Sequence, residues 1–139
     1  MKRNVLFLCT HNSCRSQMAE GLLKKFYGNR FKVFSAGIKS TSVHRLAVIV
    51  MDEIGVDISG HRSKSIYEFK DKTFDYVVTV CDNSREKCPF FPGEHMLHKD
   101  FEDPGVFEGS YEEKIGRFRI VRDEIREWIG NLVYKEILI

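Results

Sequence analysis

Apolar positions in the first third of the chain recur at two different spacings, and these spacings predict alternating strands and helices. Residues 5–8 form a short continuous apolar run, the pattern of a strand that is buried on both faces. Residues 16–27 repeat apolar side chains at helical spacing, and Gly28 is a plausible stop. A second strand is predicted over residues 31–36, closed by Gly37.

The same alternation continues to the end of the chain. Residues 46–54 predict a helix that ends at Gly55, and residues 74–80 predict a third strand. Residues 96–98 suit a short fourth strand, and residues 111–132 carry the apolar stripe of a long amphipathic helix. Strands separated by helices indicate an α/β fold with a parallel sheet and right-handed crossovers.

The stretch from residue 81 to residue 93 contains two prolines and several polar residues. This composition is typical of a loop or a mobile short helix. No internal repeat, low-complexity tract or interdomain linker is evident, so residues 1–139 are expected to form one catalytic domain.

Composition and charge argue against a nucleic-acid-binding protein, a membrane-spanning protein and a secreted protein. The net charge of +2 gives no reason to expect binding to nucleic acid, and no apolar run is long enough to span a bilayer. The chain begins with basic and then apolar residues, as a signal peptide does, but no small-residue cleavage site follows. These features predict a cytoplasmic protein, and a low net charge with a small fold is compatible with a monomer.

The four cysteines form two spaced pairs. Cys9 and Cys14 lie five positions apart, and Cys81 and Cys88 lie seven apart, so neither pair has the two-residue gap of a zinc knuckle. Permanent disulfides are not expected in a reducing cytosol, where cysteine pairs tend to be catalytic or redox-active. Reactive thiols are therefore the favoured interpretation.

The strongest candidate chemistry lies where the first strand turns into the first helix. Cys9 follows the strand, at the carboxyl edge of a parallel sheet where ligands bind. A loop that enters a helix N-terminus offers backbone N–H groups and roughly half a positive charge, which suits a tetrahedral oxyanion and a Cys9 thiolate. Arg15 can grip two oxygens, and the Ser13 and Ser16 hydroxyls can reach the thiolate.

A less specific interpretation is also open, since a cysteine after a strand is often a small buried hydrophobe. An arginine near a helix start is often a surface residue, and the six-residue spacing from Cys9 to Arg15 also arises by chance. The catalytic interpretation is favoured because the predicted strand ends just before Cys9, a polar loop follows, and the predicted helix begins directly after that loop.

Residues 9–21, CTHNSCRSQMAEG, resemble the signature of the low-molecular-weight tyrosine phosphatase superfamily and, within it, the thioredoxin-coupled arsenate reductases. Residues 35–37, residues 51–59 and Asp103-Pro104 follow in family order. The resemblance implies a four-stranded parallel sheet with helices on both faces and no cofactor. It also implies an oxyanion-binding loop that consists of Thr10, His11, Asn12, Ser13, Cys14, Arg15 and Ser16.

The resemblance also implies roles for residues outside the loop. Asp103 matches the family's general acid, while Gly105 stands where the phosphatase branch commonly has an aromatic residue. Cys81 and Cys88 match the two further cysteines of the reductase branch. The implied reaction starts with attack of Cys9 on arsenate, for which phosphate is an analogue. It ends with a Cys81–Cys88 disulfide exposed at the surface for thioredoxin or a similar thiol donor.

The relay would require movement of the segment that carries Cys81 and Cys88. If this segment is helical when reduced, a separation of seven residues places the sulfurs about 10 Å apart along the axis. A disulfide needs Cα atoms about 4.4–6.8 Å apart, so the helix would have to unwind.

Further residues near the loop receive smaller roles by resemblance. Cys14 is expected to be structural, His11 solvent-exposed, and Asn12 a residue that fixes the loop's shape. In some relatives Asn12, Glu20 and Ser35 would help to form a potassium site. Lys64 stands where those relatives place an acid, so its ammonium would replace the ion and no metal is predicted. The start of the second helix stays open, because His44-Arg45 departs from the family's usual Asn-Pro.

Two other functions stay open on the sequence. The first is a protein tyrosine (or arginine) phosphatase that uses Cys9, Arg15 and Asp103, with Cys81 and Cys88 as bystanders. The second is a non-catalytic redox or binding module whose loop only senses an oxyanion. Replacement of Cys88 by Ser separates the first of these from a reductase, because only the reductase would lose turnover.

Overall fold

The computed structural model describes residues 2–137 and contains a four-stranded parallel sheet in the order β2-β1-β3-β4. The strands are β1 (Arg3–Cys9), β2 (Phe31–Gly37), β3 (Tyr76–Thr79) and β4 (His95–His98). The α-helices are α1 (Arg15–Tyr27), α2 (Arg45–Asp52) and α3 (Tyr111–Leu132). The predicted parallel α/β fold is confirmed, and each strand and helix expected from the apolar pattern is present.

Helices α1, α2 and α3 pack against one face of the sheet. The side chains of Val5 and Phe7 in β1 and Val78 in β3 point to this face and belong to the same buried cluster as the helices. In β1, residues 5–8 are at most 1% exposed, which confirms a strand buried on both faces. The central position of β1 between β2 and β3 explains why its apolar run is continuous.

The opposite face is covered differently. The side chains of Leu6, Leu8 and Val77 on this face pack against loop residues and a short 3-10 helix, Ile66–Phe69. Four aromatic rings meet edge-to-face at centroid distances of 5.6–5.9 Å: Phe34, Phe69, Phe74 and Phe91. Helices therefore lie on both faces, but on this face the helix is a single turn supported by aromatic packing.

Side-chain caps fix the ends of two helices. At α3, the Ser110 hydroxyl oxygen accepts from the backbone N–H of Glu113, and the Glu113 carboxylate accepts from the backbone N–H of Ser110, which is a capping box. At α2, the ring Nδ1 of His44 accepts from the backbone N–H of Leu46 at 3.1 Å. The start of α2, which the sequence left open, is thus fixed by His44 as the N-cap.

No helix within residues 2–137 is both long enough and apolar enough to cross a membrane.

Candidate active site

The predicted oxyanion-binding loop, residues 10–16, follows Cys9 at the end of β1 and runs into the first residues of α1. Cys14 occupies the N-cap position of α1 and contributes no side-chain cap hydrogen bond. Amides in the first helical turn have no partner within the helix, so such an end favours an anionic ligand. The loop lies at the carboxyl edge of the sheet, as the sequence predicted.

Cys9 is buried at the base of this loop and is 2% exposed. Its Sγ lies 2.8 Å from Ser16 Oγ. The Oγ of Ser16 accepts a hydrogen bond from Asn12 Nδ2 at 2.8 Å, which leaves the Ser16 O–H free to donate to sulfur. Such a donor stabilises a thiolate. The Ser13 hydroxyl, which was also expected beside Cys9, lies instead near the Cys14 sulfur at 3.8 Å.

Asn12 holds the shape of the loop through its fully buried amide. Its Nδ2 donates to Ser16 and Ser35, and its Oδ1 accepts from Gln17 Nε2 and the Lys64 backbone N–H, all at 2.8–2.9 Å. Both amide donors and both acceptor positions are therefore satisfied. These bonds secure Asn12 at a φ of 52°, a left-handed conformation that asparagine tolerates well.

The residues of the potential potassium site do not fit a resident ion. The carboxylate of Glu20 accepts from Ser35 and lies 3.1 Å from Lys24 Nζ. The Glu20 oxygen that accepts from Ser35, Oε1, lies 3.8 Å from Lys64 Nζ, and this ammonium donates to the Arg62 carbonyl at 2.8 Å. The Lys64 ammonium thus supplies beside this carboxylate the positive charge that a potassium ion would carry. Among the described residues no cluster of His, Cys, Asp and Glu has the arrangement of a metal site.

Gly37 packs directly beneath the loop, and Gly37→Ala is expected to deform it. A Cβ at this position would lie 2.7 Å from the Asn12 nitrogen and 2.8 Å from the Thr10 oxygen, both backbone atoms. Overpacking of this kind costs about 1–3 kcal/mol of folding stability. We expect this loss in urea unfolding, together with weaker binding of inorganic phosphate.

Gly60→Ala is the matched control, because a Cβ there meets no atom within 4 Å. Its effect on unfolding should stay within about 0.5 kcal/mol. An unchanged unfolding free energy and unchanged phosphate binding in Gly37→Ala would contradict the tight packing of the loop on β2.

Arg15 is buried beside Cys9 and is 1% exposed. Its Nη1 and Nη2 donate to the two carboxylate oxygens of Glu86, and Nη1 also donates to the Phe101 carbonyl at 3.1 Å. Its Nη2 lies 3.5 Å from Asp103 Oδ2. The Nε is buried with no hydrogen-bond partner among the described residues. A buried donor left free in this position is suited to an oxyanion.

Asp103 lies across the site at the start of a short 3-10 turn, Pro104–Val106. Its Oδ1 accepts from the Gly105 backbone N–H at 2.9 Å, and this bond orients the carboxyl group. Cys9, Arg15 and Asp103 line one cavity of about 210 Å³. The structure therefore brings together the predicted nucleophile, oxyanion-binding arginine and acid.

Glu86 is the charged residue at this site that the sequence analysis missed. Besides Arg15, it contacts the Thr10 hydroxyl and accepts from the Asp82 backbone N–H at 3.1 Å. Burial alone would raise the pKa of Glu86, but hydrogen bonds from Arg15 and Thr10 lower it to about 2. The sequence offered one signal for Glu86, which lies between Cys81 and Cys88 on the segment that the relay brings to Cys9. An acid on that segment is a candidate partner for Arg15.

Cys81 and Cys88 are joined by a disulfide with a Cα–Cα distance of 6.0 Å. Cys81 follows β3 and is fully buried, whereas Cys88 is half-buried. The disulfide was expected to be exposed at the surface, but only the Cys88 sulfur is on a partly exposed residue, since Cys81 belongs to the main buried cluster. The residues between them form turns rather than an α-helix, which allows the short Cα separation.

Cys14 and His11 also line the cavity that contains Cys9, but Cys14 is buried and His11 is exposed. Burial, with a smaller contribution from the charge of Asp103, strongly raises the pKa of the Cys14 thiol. Cys14 therefore stays protonated at neutral pH, which suits a structural role. The His11 side chain is exposed, and its backbone carbonyl accepts from Ser63 Oγ at 2.9 Å.

Comparisons with known proteins agree with this geometry. The sequence profile of the low molecular weight phosphotyrosine protein phosphatase family matches residues 4–138. The chain is 47% identical over 125 residues to an arsenate reductase of Halalkalibacterium halodurans, covering 89% of this chain and 90% of the relative. A solved structure described as an arsenate reductase in the phosphate binding state has 35% identity and a TM-score of 0.82, covering 97% of this chain and 98% of the other.

A thioredoxin-dependent arsenate reductase of Corynebacterium glutamicum is also similar, with 31% identity and a TM-score of 0.67. The match covers 97% of this chain and 64% of that protein.

Proposed function

The chain belongs to the low molecular weight phosphotyrosine protein phosphatase family, and from that premise we propose that it reduces arsenate to arsenite through Cys9, Cys81 and Cys88. The Cys81–Cys88 disulfide is the observation that carries this proposal. A phosphatase needs the loop and an acid only, whereas a two-electron reduction needs further thiols to take up the oxidation. High similarity to arsenate reductases supports the same assignment.

In the first step the Cys9 thiolate attacks arsenic, and an S–As bond forms. Arg15 and the loop amides stabilise the negative charge that builds on the oxygens. Asp103 gives a proton to the departing oxygen, which leaves as water. The hydrogen bonds of Ser16 to Cys9 and of Gly105 to Asp103 support the two roles by orienting each group.

In the second step Cys81 attacks the sulfur of Cys9, and the S–As bond breaks with its electron pair remaining on arsenic. Arsenic is thereby reduced from the pentavalent to the trivalent state, and the two sulfurs are oxidised to a Cys9–Cys81 disulfide. Cys88 then attacks Cys81, which releases the Cys9 thiolate and leaves the Cys81–Cys88 disulfide.

An external thiol donor must reduce this disulfide before the next turnover. Thioredoxin is the proposed donor, on the similarity to a thioredoxin-dependent arsenate reductase. The half-buried Cys88 offers the more accessible sulfur for that exchange. We propose that residues 1–139 form a single catalytic domain that acts as a monomer in the reducing cytoplasm, with neither nucleic acid nor a membrane as its partner.

Phosphatase activity is the second candidate, and the shared cavity of Cys9, Arg15 and Asp103 favours it as an accompanying reaction. Phosphate and arsenate have nearly the same shape and charge, so the loop binds both. Only arsenic readily accepts two electrons, and this difference directs arsenate into the relay. An aryl phosphate would instead be hydrolysed through Cys9 without change in Cys81 or Cys88.

Thiol counting after one arsenate exposure tests the proposal. The reduced protein has four cysteines, and we expect two thiols to be lost when it meets excess arsenate without reductant. Thiols are counted after denaturation so that buried Cys14 reacts, and peptide mapping is expected to locate the bond at Cys81–Cys88. Inorganic phosphate is the control and should consume none. An unchanged count after arsenate would overturn the reductase assignment.

A further inference from the structure

A carboxylate from the disulfide loop, residues 81–88, is bound by the arginine of the oxyanion loop. Glu86 takes two donors from the Arg15 guanidinium, and the Thr10 hydroxyl also contacts it. A carboxylate is itself an oxyanion, and this one pairs with the group that the proposed mechanism assigns to arsenate. The redox-active segment and the substrate-binding loop are thus joined through one ion pair.

The donors of Arg15 are divided between this ion pair and the cavity. Of the five N–H groups of a guanidinium, Glu86 takes two and the Phe101 carbonyl takes one. The two that remain, on Nε and Nη2, lie on one edge of the plane, and Asp103 is 3.5 Å from that Nη2. Glu86 lines a neighbouring cavity rather than the one that contains Cys9, so it does not obstruct the substrate.

The effect of Glu86 on an incoming anion is therefore electrostatic. A carboxylate on the guanidinium offsets the positive charge that attracts arsenate or phosphate. It also helps to order the Arg15 side chain, which would favour anion binding. The charge effect is the larger one, because burial and the Phe101 carbonyl already hold the guanidinium in place.

The disulfide determines how strongly Glu86 is held. While Cys81 and Cys88 are bonded, the loop between them is closed and Glu86 is kept beside Arg15. Opening of the bond returns conformational freedom to that segment, so the same contact then costs more chain entropy. The ion pair is consequently weaker in the dithiol form.

We propose that Glu86 sets the oxyanion affinity of Arg15 and makes it depend on the redox state of Cys81 and Cys88. This inference rests on the proposed function, because it takes the Arg15 loop as the substrate site. The oxidised enzyme, which lacks the thiols for a second reduction, would hold arsenate weakly. Reduction by the thiol donor would restore both the thiols and the affinity.

The test is calorimetric titration of inorganic phosphate into the fully reduced protein and into the protein that carries the Cys81–Cys88 disulfide. For the wild type we expect binding about tenfold weaker in the disulfide form, a coupling of ordinary size between two sites. In Glu86→Gln the disulfide form should bind phosphate about tenfold more tightly than the wild-type disulfide form. The difference between its two redox forms should nearly disappear.

Glu102→Gln is the matched control. Glu102 lines the same neighbouring cavity as Glu86, but it is exposed and lies 3.4 Å from Arg117. The substitution removes one negative charge near the site without touching the Arg15 ion pair. The redox dependence of phosphate binding should therefore persist in this variant.

The second measurement is the Cys81–Cys88 reduction potential with and without phosphate, because binding and reduction are thermodynamically linked. A purely structural role of Glu86 would not affect it. If the dithiol form binds phosphate about tenfold more tightly, saturating phosphate raises the Cys81–Cys88 reduction potential by about 30 mV. The potential becomes less negative because phosphate stabilises the reduced form. In Glu86→Gln the potential should be the same with and without phosphate.

Equal phosphate affinity of the two wild-type redox forms would overturn the inference. Weaker phosphate binding by the disulfide form of Glu86→Gln than by the wild-type disulfide form would also overturn the inference. Glu86 would then be a residue that orients Arg15. In both cases the proposed function would stand, because reduced wild-type protein would still bind phosphate. Failure of the reduced wild type to bind phosphate would overturn the proposed function and this inference together.

Discussion

Replacement of Cys88 by Ser is expected to abolish sustained arsenate reduction while it leaves one round of chemistry intact. Cys9 and Cys81 are still present, so the first arsenate is reduced and a Cys9–Cys81 disulfide forms. Serine cannot attack this disulfide, and Cys9 stays blocked. We expect close to one arsenite per protein molecule in a reaction supplied with thioredoxin, compared with continuing turnover by the wild type.

The same variant contains its own control. The reduced Cys88→Ser protein keeps Cys9, Arg15 and Asp103, so its hydrolysis of an aryl phosphate should match that of the wild type. Mass spectrometry of the arsenate-treated variant should find the Cys9–Cys81 bond. Wild-type rates of thioredoxin-driven reduction in the absence of Cys88 would contradict the relay and would leave Cys81 as the only partner that Cys9 needs.

The fold could be predicted from the sequence where burial is unambiguous. The apolar run at residues 5–8 identified a central strand because a parallel strand between two neighbours has no polar face. The third strand was predicted too long, since Phe74 is buried in the aromatic cluster that covers the second face rather than in β3. Apolar periodicity cannot distinguish these two kinds of burial.

The candidate site, too, could be predicted from the sequence only in part. The loop could be found because Cys9 and Arg15 are close in sequence and the fold places them at the same helix start. Glu86 was missed, because its position between Cys81 and Cys88 is a weak signal and its contact with Arg15 depends on the conformation of a turn-rich segment distant in sequence. The sequence also did not predict that His44 caps the start of α2, since histidine is not among the usual N-cap residues.

Replacement of Cys9 by Ser is expected to remove both arsenate reduction and aryl phosphate hydrolysis, by at least about a thousandfold. A serine hydroxyl is nearly un-ionised at neutral pH, and the single donor Ser16 does not activate it as a general base would. Arsenite formed in a single turnover and the release of an aryl alcohol are the two measurements. Phosphate binding should persist, because Arg15 and the loop amides remain.

Cys14→Ser is the matched control, with the same change of atom in the same loop. Cys14 is buried with a strongly raised pKa, so the wild-type protein does not use it as a thiolate. We expect both activities within about threefold of the wild type and a stability loss of about 1 kcal/mol from the buried hydroxyl. If Cys14→Ser were inactive and Cys9→Ser retained either reaction, Cys14 would be the nucleophile. Both cysteines line the cavity with Asp103, but Ser16 hydrogen-bonds to the Cys9 sulfur and burial keeps Cys14 protonated, which argues for the opposite result.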